Sequence, residues 1–326
     1  MKVLVTGARG FVGQAIVAAL LSEKHEVFCL VSLKSENVNK LPNVYRGDIT
    51  DAESLAKLKR IKNIDVVIHS AGLAHQFVNT PDEDFMQINV IGTENTARLA
   101  CELQVKHFIL ISSVAVYGNF ENKTGMIDEK FPCEPQSIYA RSKFEAEKSA
   151  QKICENYKVA LTILRLATVL GEDDRGNTAR LIQAIDRKRF LWIGKGENHK
   201  SLIYKADVAD ACVKILDKKT NVTEIFNLTG EPVKMNFVVS EIAKNLNRKI
   251  PSIKVPVKLL KNIFEANLKT LKSKKISKLS ETVEKWMSED VFSGRKFAEV
   301  YNFRAQIPIS EAIRRQVKTY RAKIQK

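Results

Sequence analysis

The chain opens with a hydrophobic run, Lys2 to Thr6, that leads at once into the glycine-rich segment TGARGFVG and then an amphipathic stretch. This order of strand, glycine turn and helix is typical of the first unit of a dinucleotide-binding Rossmann domain. Gly7 permits the tight turn, Gly10 lets the backbone approach a pyrophosphate, and Gly13 lets the helix pack on the strand. The start of that helix offers free N–H groups to phosphates.

The first half of the chain alternates short β-branched runs with longer amphipathic stretches, which predicts a doubly wound parallel sheet with right-handed crossovers. The predicted strands are Lys2 to Thr6, Glu26 to Val31, Asn43 to Tyr45, Asp65 to His69, His107 to Ile111 and Ala160 to Arg165. The predicted helices are Phe11 to Leu21, Ala52 to Leu58, Asp84 to Leu103 and Ser137 to Tyr157.

After Leu170 the pattern is less regular, and a loop-rich stretch precedes a helix start at Asp207 and a short strand that ends in FNLTG. We therefore predict an α/β, Rossmann-type fold with a doubly wound parallel sheet and a smaller C-terminal substrate-binding lobe. The predicted domains are an NAD(P)-binding domain of residues 1–170, to which residues 201–230 return, and a lobe of residues 171–200 and 231–326.

The formal net charge of +16 would suit an anionic partner, because basic surfaces attract phosphates. The excess is spread along the chain, mostly as lysine, and is densest from Lys258 to Leu279, where apolar residues recur at helical spacing. We interpret this stretch as a solvated helix face, so we do not expect a nucleic-acid partner. A substrate that carries a diphosphate would also suit a basic protein.

The five cysteines are scattered and form no CxxC pair, which fits neither a disulfide framework nor a zinc site, and no metal is predicted. No apolar run approaches the ~18 residues of a membrane span. The N-terminal segment leads into a strand rather than a signal peptide. We therefore predict no membrane partner and a cytoplasmic location.

Tyr139 and Lys143 are four residues apart at the start of a predicted helix, so they project from one face, one turn apart. An ammonium close to a phenol favours the phenolate, and a nicotinamide cation adds to this effect. We therefore expect the pKa of Tyr139 to fall from about 10 toward the working range of a general base. The buried strand FILIS ends in hydroxyls, which could set Ser113 opposite Tyr139 across a substrate hydroxyl.

The end of the second predicted strand lacks the acidic residue that would bind the ribose 2′-hydroxyl of NAD. The segment reads LVSLKSEN, and Ser32, Lys34 and Ser35 are available to meet a 2′-phosphate. The cofactor is therefore NAD or NADP, and these residues favour NADP. Lys34 could equally be an ordinary loop lysine.

Further segments occur in the order found in one known family. They are GDITD from Gly47, HSAG from His69, NVIGT from Asn89, SSVAVYG from Ser112 and YARSK from Tyr139. With TGARGFVG, they make the chain resemble the extended short-chain dehydrogenase/reductases, the NAD(P)-dependent nucleotide-sugar epimerases, dehydratases and reductases. The resemblance covers nearly the whole chain.

This resemblance implies a cofactor site and a catalytic trio, because Ser113, Tyr139 and Lys143 match the catalytic residues of the family. Asp48 and Ile49 match positions beside the adenine. The full predicted set of cofactor-binding residues is Gly7, Arg9, Gly10, Phe11, Val12, Gly13, Ser32, Lys34, Asp48, Ile49, Ala71, Gly72, Tyr139, Lys143, Thr168 and Val169.

The mechanism implied by the resemblance is hydride transfer between a sugar carbon and the nicotinamide. Tyr139 passes the hydroxyl proton, Ser113 hydrogen-bonds the same sugar oxygen, and Lys143 holds the nicotinamide ribose. For the substrate diphosphate the resemblance implies Asn177, and Lys200 at a position where the family usually has arginine. Because lysine is not a bidentate phosphate ligand, one further arginine is expected. The candidates are Arg180, Arg189 and Arg295.

Dehydratases of this family carry an Asp-Glu pair directly after the catalytic hydroxyl residue, whereas this chain has Val114 and Ala115. The resemblance therefore leaves a 4-epimerase or a 4-ketoreductase acting on a nucleotide sugar, with UDP-sugars as the expected substrates. The segments HSAGLAHQFVN and DRGNTARL resemble enzymes of surface-polysaccharide sugar synthesis. A homodimer formed through the two long helices is also implied. The alternative is a non-catalytic NAD(P)-binding or RNA-binding relative.

Overall fold

The computed structural model describes residues 1–74, 80–118, 125–218, 220–251, 254–256, 283 and 286–325. Its strands are β1 (Lys2–Thr6), β2 (Glu26–Val31), β3 (Val44–Arg46), β4 (Val66–His69), β5 (His107–Ser113), β6 (Ala160–Leu166), β7 (Thr168–Leu170), β8 (Trp192–Ile193), β9 (His199–Lys200), β10 (Leu202–Tyr204), β11 (Thr223–Leu228), β12 (Val233–Lys234) and β13 (Lys254–Val255).

The helices lie between these strands and after them. They are α1 (Phe11–Ser22), α2 (Ala52–Leu55), α3 (Asp82–Phe85), α4 (Gly92–Glu102), α5 (Ile138–Tyr157), α6 (Asn177–Asp186), α7 (Lys205–Leu216), α8 (Met235–Leu246), α9 (Arg295–Tyr301) and α10 (Ile309–Ile324). Short 3-10 turns follow α2 and β5, at Ala56–Arg60 and Val114–Tyr117.

Seven strands form one parallel sheet in the order β11-β6-β5-β4-β1-β2-β3. Successive side chains of a strand point to opposite faces, so the continuous apolar runs predict burial on both sides. In β1, Val3 and Val5 pack in one core with α1, α7 and α9, whereas Leu4 packs in a second core with α4 and α5. The predicted Rossmann-type doubly wound fold is confirmed.

A third hydrophobic core lies outside the sheet. It is formed by residues from α6, α8 and α10, among them Ile182, Val239 and Ile313, together with Leu170 at the end of β7. Two-stranded pairs, β7 with β10, β9 with β12 and β8 with β13, border this region. The C-terminal helix α10 therefore packs its apolar face against this core, as expected for an amphipathic helix.

The structure differs from the sequence prediction in one long helix. The predicted helix from Asp84 to Leu103 is α3, then a π-helical segment at Met86–Ile91, then α4. A π turn admits one extra residue per turn, a change that leaves the apolar pattern nearly intact and is often found at functional sites.

Two stretches interpreted from the sequence lie outside the described residues. They are residues 258–279 of the basic segment and residues 75–79 of the HSAGLAHQFVN run. Within the described ranges, none of the helices has both the length and the apolar composition that a bilayer span requires.

Candidate active site

The glycine-rich turn between β1 and α1 forms a cradle that side chains would fill. Gly7 has φ +64°, and a Cβ there would lie 2.6 Å from the Ala71 backbone nitrogen. A Cβ at Gly13 would overlap the carbonyl oxygen of Gly7, to which Gly10 N donates at 2.7 Å. The first turn of α1 contains no acidic residue. The turn therefore fits the pyrophosphate of a dinucleotide, because the backbone is exposed and the helix start keeps its positive end.

The predicted cofactor residues lie at one edge of the sheet, where the strands reach their carboxyl ends. Ser32 and Lys34 follow β2, Asp48 and Ile49 follow β3, Ala71 and Gly72 follow β4, and Thr168 and Val169 form part of β7 after β6. This edge, where connections diverge on either side of β1, is where open α/β sheets bind ligands.

A buried histidine lies beneath the cradle. His69 Nδ1 is 2.7 Å from Thr6 Oγ1, and its Nε2 is 3.1 Å from Thr93 Oγ1. Ala71 N donates to the same Thr6 hydroxyl at 3.3 Å. Burial lowers the pKa of His69 to about 3, so the ring is neutral. His69 therefore links β1, β4 and α4 and fixes the segment that closes over Gly7.

Asn89, in the π-helical segment, ties that same segment to α5. Its Oδ1 accepts from Leu73 N at 2.8 Å, and its Nδ2 donates to Leu73 O at 3.0 Å and to Ser142 Oγ at 2.9 Å. Sequence reasoning noted NVIGT as a motif but assigned Asn89 no role. Its contacts position the chain after β4 against the helix that carries Tyr139.

The structure brings Ser113 and Tyr139 together. Ser113 ends β5, and Tyr139 lies in the first turn of α5, which begins where Ser137 Oγ accepts from Ala140 N at 3.1 Å. The Ser113 side chain is close enough to the Tyr139 hydroxyl to lower the pKa of the phenol. Phe85 packs edge-on against the Tyr139 ring at 6.5 Å between centroids. The two hydroxyls therefore converge at the edge of the cradle.

The lowering of the Tyr139 pKa was predicted with a nicotinamide cation beside the phenol and stays a prediction; in the protein without cofactor the pKa moves the other way. Burial raises the pKa of Tyr139, and the nearby Ser113 side chain only partly opposes this. Lys143 is buried and donates from Nζ to the Ile111 carbonyl oxygen at 2.6 Å. Burial also lowers the pKa of Lys143 to about 8, although Glu147 opposes that change. Desolvation is the largest influence on the Tyr139 pKa, so the protonated phenol is favoured and can donate a proton.

A buried ion pair, which the sequence analysis did not predict, lies next to Lys143. Glu147 lies one turn beyond Lys143 in α5, and its carboxylate accepts from Arg165 Nη2 at 2.7 Å and from Ser112 Oγ at 2.5 Å. Although burial opposes it, the hydrogen bond to Glu147 raises the pKa of Arg165. An arginine inside the apolar strand ALTILRL was the available sequence signal.

The predicted substrate residues lie on different elements. Asn177 is exposed and is the first residue of α6. Lys200, in β9, is buried and donates to Asp290 Oδ2 at 2.7 Å, Ser288 O at 2.8 Å and Ser288 Oγ at 3.0 Å. An ammonium carries three N–H groups, so these contacts already engage its donors. A contact with a diphosphate would therefore require one of these bonds to open.

The three arginines considered for the diphosphate are all exposed. Arg180 lies on α6 and Arg189 follows it, whereas Arg295 donates from Nε to Glu299 Oε1 at 2.6 Å at the start of α9.

Comparison with known proteins decides the family. The model of the NAD dependent epimerase/dehydratase family matches residues 3–229. The chain belongs to this family. It is 31% identical over 265 residues to N-acetyl-alpha-D-glucosaminyl-diphospho-ditrans,octacis-undecaprenol 4-epimerase of Escherichia coli O157:H7, covering 79% of this chain and 76% of that protein. It is 30% identical over 263 residues to human dTDP-D-glucose 4,6-dehydratase, covering 75% and 73%.

Solved structures of epimerases share the fold of this epimerase/dehydratase family member. UDP-glucose 4-epimerase of Thermotoga maritima with UDP-glucose has a TM-score of 0.79 and 20% identity, covering 99% of this chain and 100% of that chain. UDP-glucose 4-epimerase of Thermus thermophilus in complex with NAD has a TM-score of 0.77 and 23% identity, covering 98% and 99%.

The arrangement of these residues is suited to proton transfer beside a bound dinucleotide. A nicotinamide dinucleotide seated on the glycine-rich turn would supply hydride transfer. Tyr139 can pass a proton to or from an oxygen placed beside its hydroxyl, and Ser113 can hydrogen-bond the same oxygen. Lys143 is held by the Ile111 carbonyl and contributes a nearby positive charge while it is protonated. These are positioning and electrostatic tasks, which a preorganised site performs well.

Proposed function

We propose that the protein is an NAD(P)-dependent nucleotide-sugar 4-epimerase or 4-ketoreductase, with UDP-sugars as substrates. The observation that carries this proposal is the convergence of the Tyr139 phenol and the Ser113 hydroxyl, with Lys143, beside the glycine-rich cradle. When the Tyr139 phenol and the Ser113 hydroxyl both contact one sugar oxygen, they can transfer the proton of that oxygen. The sugar carbon bonded to the oxygen gains or loses a hydride in the same reaction.

The residues that follow Ser113 argue against dehydration. Elimination of water needs an acid and a base at the neighbouring carbon in addition to Tyr139. Val114 and Ala115 form the turn directly after β5, and neither side chain can exchange a proton. The proposed reaction is therefore confined to one sugar carbon, as in epimerisation or keto reduction.

Several finer proposals accompany this function. Ser32 and Lys34, in place of an acid after β2, support NADP. Asn177 at the start of α6 supports a diphosphate site, and the core shared by α6, α8 and α10 supports a separate substrate-binding lobe. We also propose a cytoplasmic homodimer that serves surface-polysaccharide synthesis. Light scattering after size exclusion tests the dimer, and a clean monomer refutes it.

Incubation of the purified protein with defined sugars tests the proposed reaction. Epimerisation is followed by NMR of the anomeric protons of UDP-hexoses, and reduction is followed with a UDP-4-keto sugar and reduced cofactor. The expected result is turnover that falls roughly 10²–10⁴-fold in Tyr139→Phe. Tyr157→Phe, at the exposed end of α5, is the matched control.

The same measurement addresses the non-catalytic alternative. Absence of turnover with every sugar, together with salt-sensitive RNA binding, would refute the proposed enzyme in favour of an RNA-binding relative. Turnover that is equal in wild type and Tyr139→Phe would refute the assigned role of Tyr139.

A further inference from the structure

Two helices of the C-terminal region end side by side. α6 ends at Asp186 and α8 ends at Leu246, and Arg248 donates from Nη2 to Asp186 Oδ1 at 3.0 Å. The strands β8 and β13, which follow these helices, pair in parallel with Trp192 opposite Lys254. The segments after the two helices therefore form one surface, which we call the helix-end face and which consists of residues 187–195, residues 247–251 and Lys254.

The helix-end face is strongly basic. Its exposed cations are Arg187, Lys188, Arg189, Lys195, Arg248, Lys249 and Lys254. A cation in the last turn of a helix is favourable without any partner, because it meets the negative end of the helix dipole. That effect does not reach Lys195, which follows β8, or Lys254, which begins β13. The helix ends alone therefore do not explain the charge of this face.

The same face also exposes apolar groups. The Leu191 side chain, two residues after Arg189, is 60% exposed. A cavity of about 470 Å³ lies where the two helices end, and its wall combines cations with apolar side chains, among them Lys188, Arg248, Lys249, Phe190, Ile250 and Pro251. A surface of this composition suits a partner that offers both negative charge and an apolar environment.

The two tryptophans of the chain both contact this part of the molecule. The Phe190 ring lies edge-on to Trp192, with 5.1 Å between centroids, and stacks with Trp286 at 6.2 Å. Tryptophan and leucine beside lysine and arginine are the side chains that bind the interface of an anionic bilayer. Single-stranded RNA binds cations together with exposed aromatic rings, whereas the most exposed apolar group here is Leu191. A bilayer therefore fits this face better than RNA.

We propose that the helix-end face docks the protein peripherally on an anionic phospholipid bilayer. Its lysines and arginines contact the lipid phosphates, and Leu191 enters the headgroup region. Peripheral docking of this kind requires no spanning segment. The proposal goes beyond the proposed reaction and does not depend on it. Because α6 has ten residues, Asn177 at its start lies about 15 Å from this face, so docking would hold the proposed diphosphate site near the bilayer.

Co-sedimentation of the full-length protein with vesicles tests the proposal. The vesicles contain phosphatidylcholine alone, or phosphatidylcholine with roughly 30% phosphatidylglycerol. We expect binding to the anionic vesicles only, and weaker binding as the salt concentration rises. Brominated phospholipids should also quench the tryptophan fluorescence of the bound protein, because Trp192 and Trp286 both lie at the docking end of the molecule.

Two variants separate the contributions of charge and of apolar insertion. Lys188→Gln/Arg189→Gln/Lys249→Gln should weaken binding to the anionic vesicles roughly 100-fold, because each cation near such a surface contributes roughly fivefold. It should also reduce the salt dependence of binding. Leu191→Ser should weaken binding roughly fivefold and leave the salt dependence unchanged, because it removes apolar contact and no charge.

The matched control is Lys57→Gln/Lys59→Gln/Arg60→Gln, which removes the same net charge from exposed residues of the turn after α2. Its binding should stay within about threefold of the wild type. An equal loss in the two triple variants would assign the binding to diffuse charge and overturn the proposal.

Three further results would also overturn the proposed docking. They are equal binding to neutral and anionic vesicles, vesicle binding without fluorescence quenching, and salt-sensitive RNA binding by a protein that does not bind vesicles. Because the assay contains neither sugar nor cofactor, each of these outcomes is independent of whether the proposed turnover is found.

Discussion

Glu147 and Arg165 form an ion pair in which both side chains are only 4% exposed, with 2.7 Å between Oε2 and Nη2. The pair joins α5 to β6. Within α5, Glu147 lies one helical turn from Lys143. Tyr117 stacks under the same guanidinium, 4.9 Å from its ring centroid. A buried pair of this kind is costly to break on one side, because the remaining charge stays desolvated.

Glu147→Gln should therefore lower the free energy of unfolding by about 3–5 kcal/mol, measured by denaturant titration. Glu145→Gln is the control, because Glu145 pairs with Lys148 at the surface and should cost no more than about 1 kcal/mol. The double variant Glu147→Leu/Arg165→Met should recover most of the loss, since it leaves no charge unpaired. A small loss in Glu147→Gln would contradict this account.

The same glutamate should affect the titration of Lys143. Burial lowers the pKa of Lys143 to about 8, and Glu147 opposes that change. Without the carboxylate, the ammonium should lose its proton at a lower pH. If Lys143 contributes its charge to turnover, the alkaline limb of the activity profile in Glu147→Gln moves toward lower pH, and an unmoved limb would refute the coupling.

A buried histidine at the opposite end of β5 should govern part of the acid stability. Burial lowers the pKa of His107 to about 4 from 6.5, and its Nε2 lies 2.8 Å from Thr162 Oγ1. The folded state keeps this ring neutral while the unfolded chain binds a proton below pH 6.5. The stability from His107 is therefore present above pH 6.5 and is lost as the pH falls to about 4, by up to about 3 kcal/mol.

His107→Gln should flatten the fall in stability between these two pH values, as followed by urea unfolding at each pH. Thr162→Val is the matched variant, because it removes the hydrogen-bond partner and keeps the titrating ring. It should cost about 1 kcal/mol at every pH and preserve the slope. A slope that survives in His107→Gln would assign the acid sensitivity to other groups, of which His69 is the next candidate.

The sheet and the glycine-rich cradle were predictable because local sequence patterns specify them. Contacts between residues far apart in the sequence were not predictable. The run from Lys2 to Gly13 specifies strand, turn and helix through neighbouring residues alone. Arg46 meets the loop after β2 only because β2 and β3 pair in register. Asp207 was predicted only to lie at the start of a helix, yet it is buried and accepts from Gln306 N at 2.7 Å, about a hundred residues away in sequence.

Burial also explains why the pKa of Tyr139 rises in the protein without cofactor. The four-residue spacing to Lys143 indicates only that both side chains share a helix face. It carries no information on how much water the fold removes around the phenol, and that desolvation determines the sign of the pKa change. The placement of Ser113 beside Tyr139 was predictable because β5 ends in hydroxyls, although the catalytic roles of both residues stay predictions.

Lys200 offers a direct test of a predicted substrate ligand. Its three contacts hold Ser288 and Asp290, so Lys200→Met should lower the free energy of unfolding by about 3–5 kcal/mol, as loss of a mostly buried charge partner does. Asp290→Asn should cost less, because it keeps a hydrogen-bond acceptor for the ammonium. If Lys200 also binds the diphosphate, Asp290→Asn should lower the KM for the nucleotide sugar. An unchanged KM with a lower free energy of unfolding would show that Lys200 has a structural role only.

Gly13→Ala should abolish dinucleotide binding, because its Cβ would overlap the carbonyl oxygen of Gly7 and force α1 away from β1. The overlap is with backbone, so no side-chain rotation can relieve it. Ala18→Gly is the control: Ala18 is exposed on the same helix, and its replacement should cost only about 1 kcal/mol without touching the turn. Calorimetric titration with NADH and NADPH, beside thermal unfolding of each variant, separates the two effects. Dinucleotide binding by a folded Gly13→Ala protein would show that the cofactor does not use this turn.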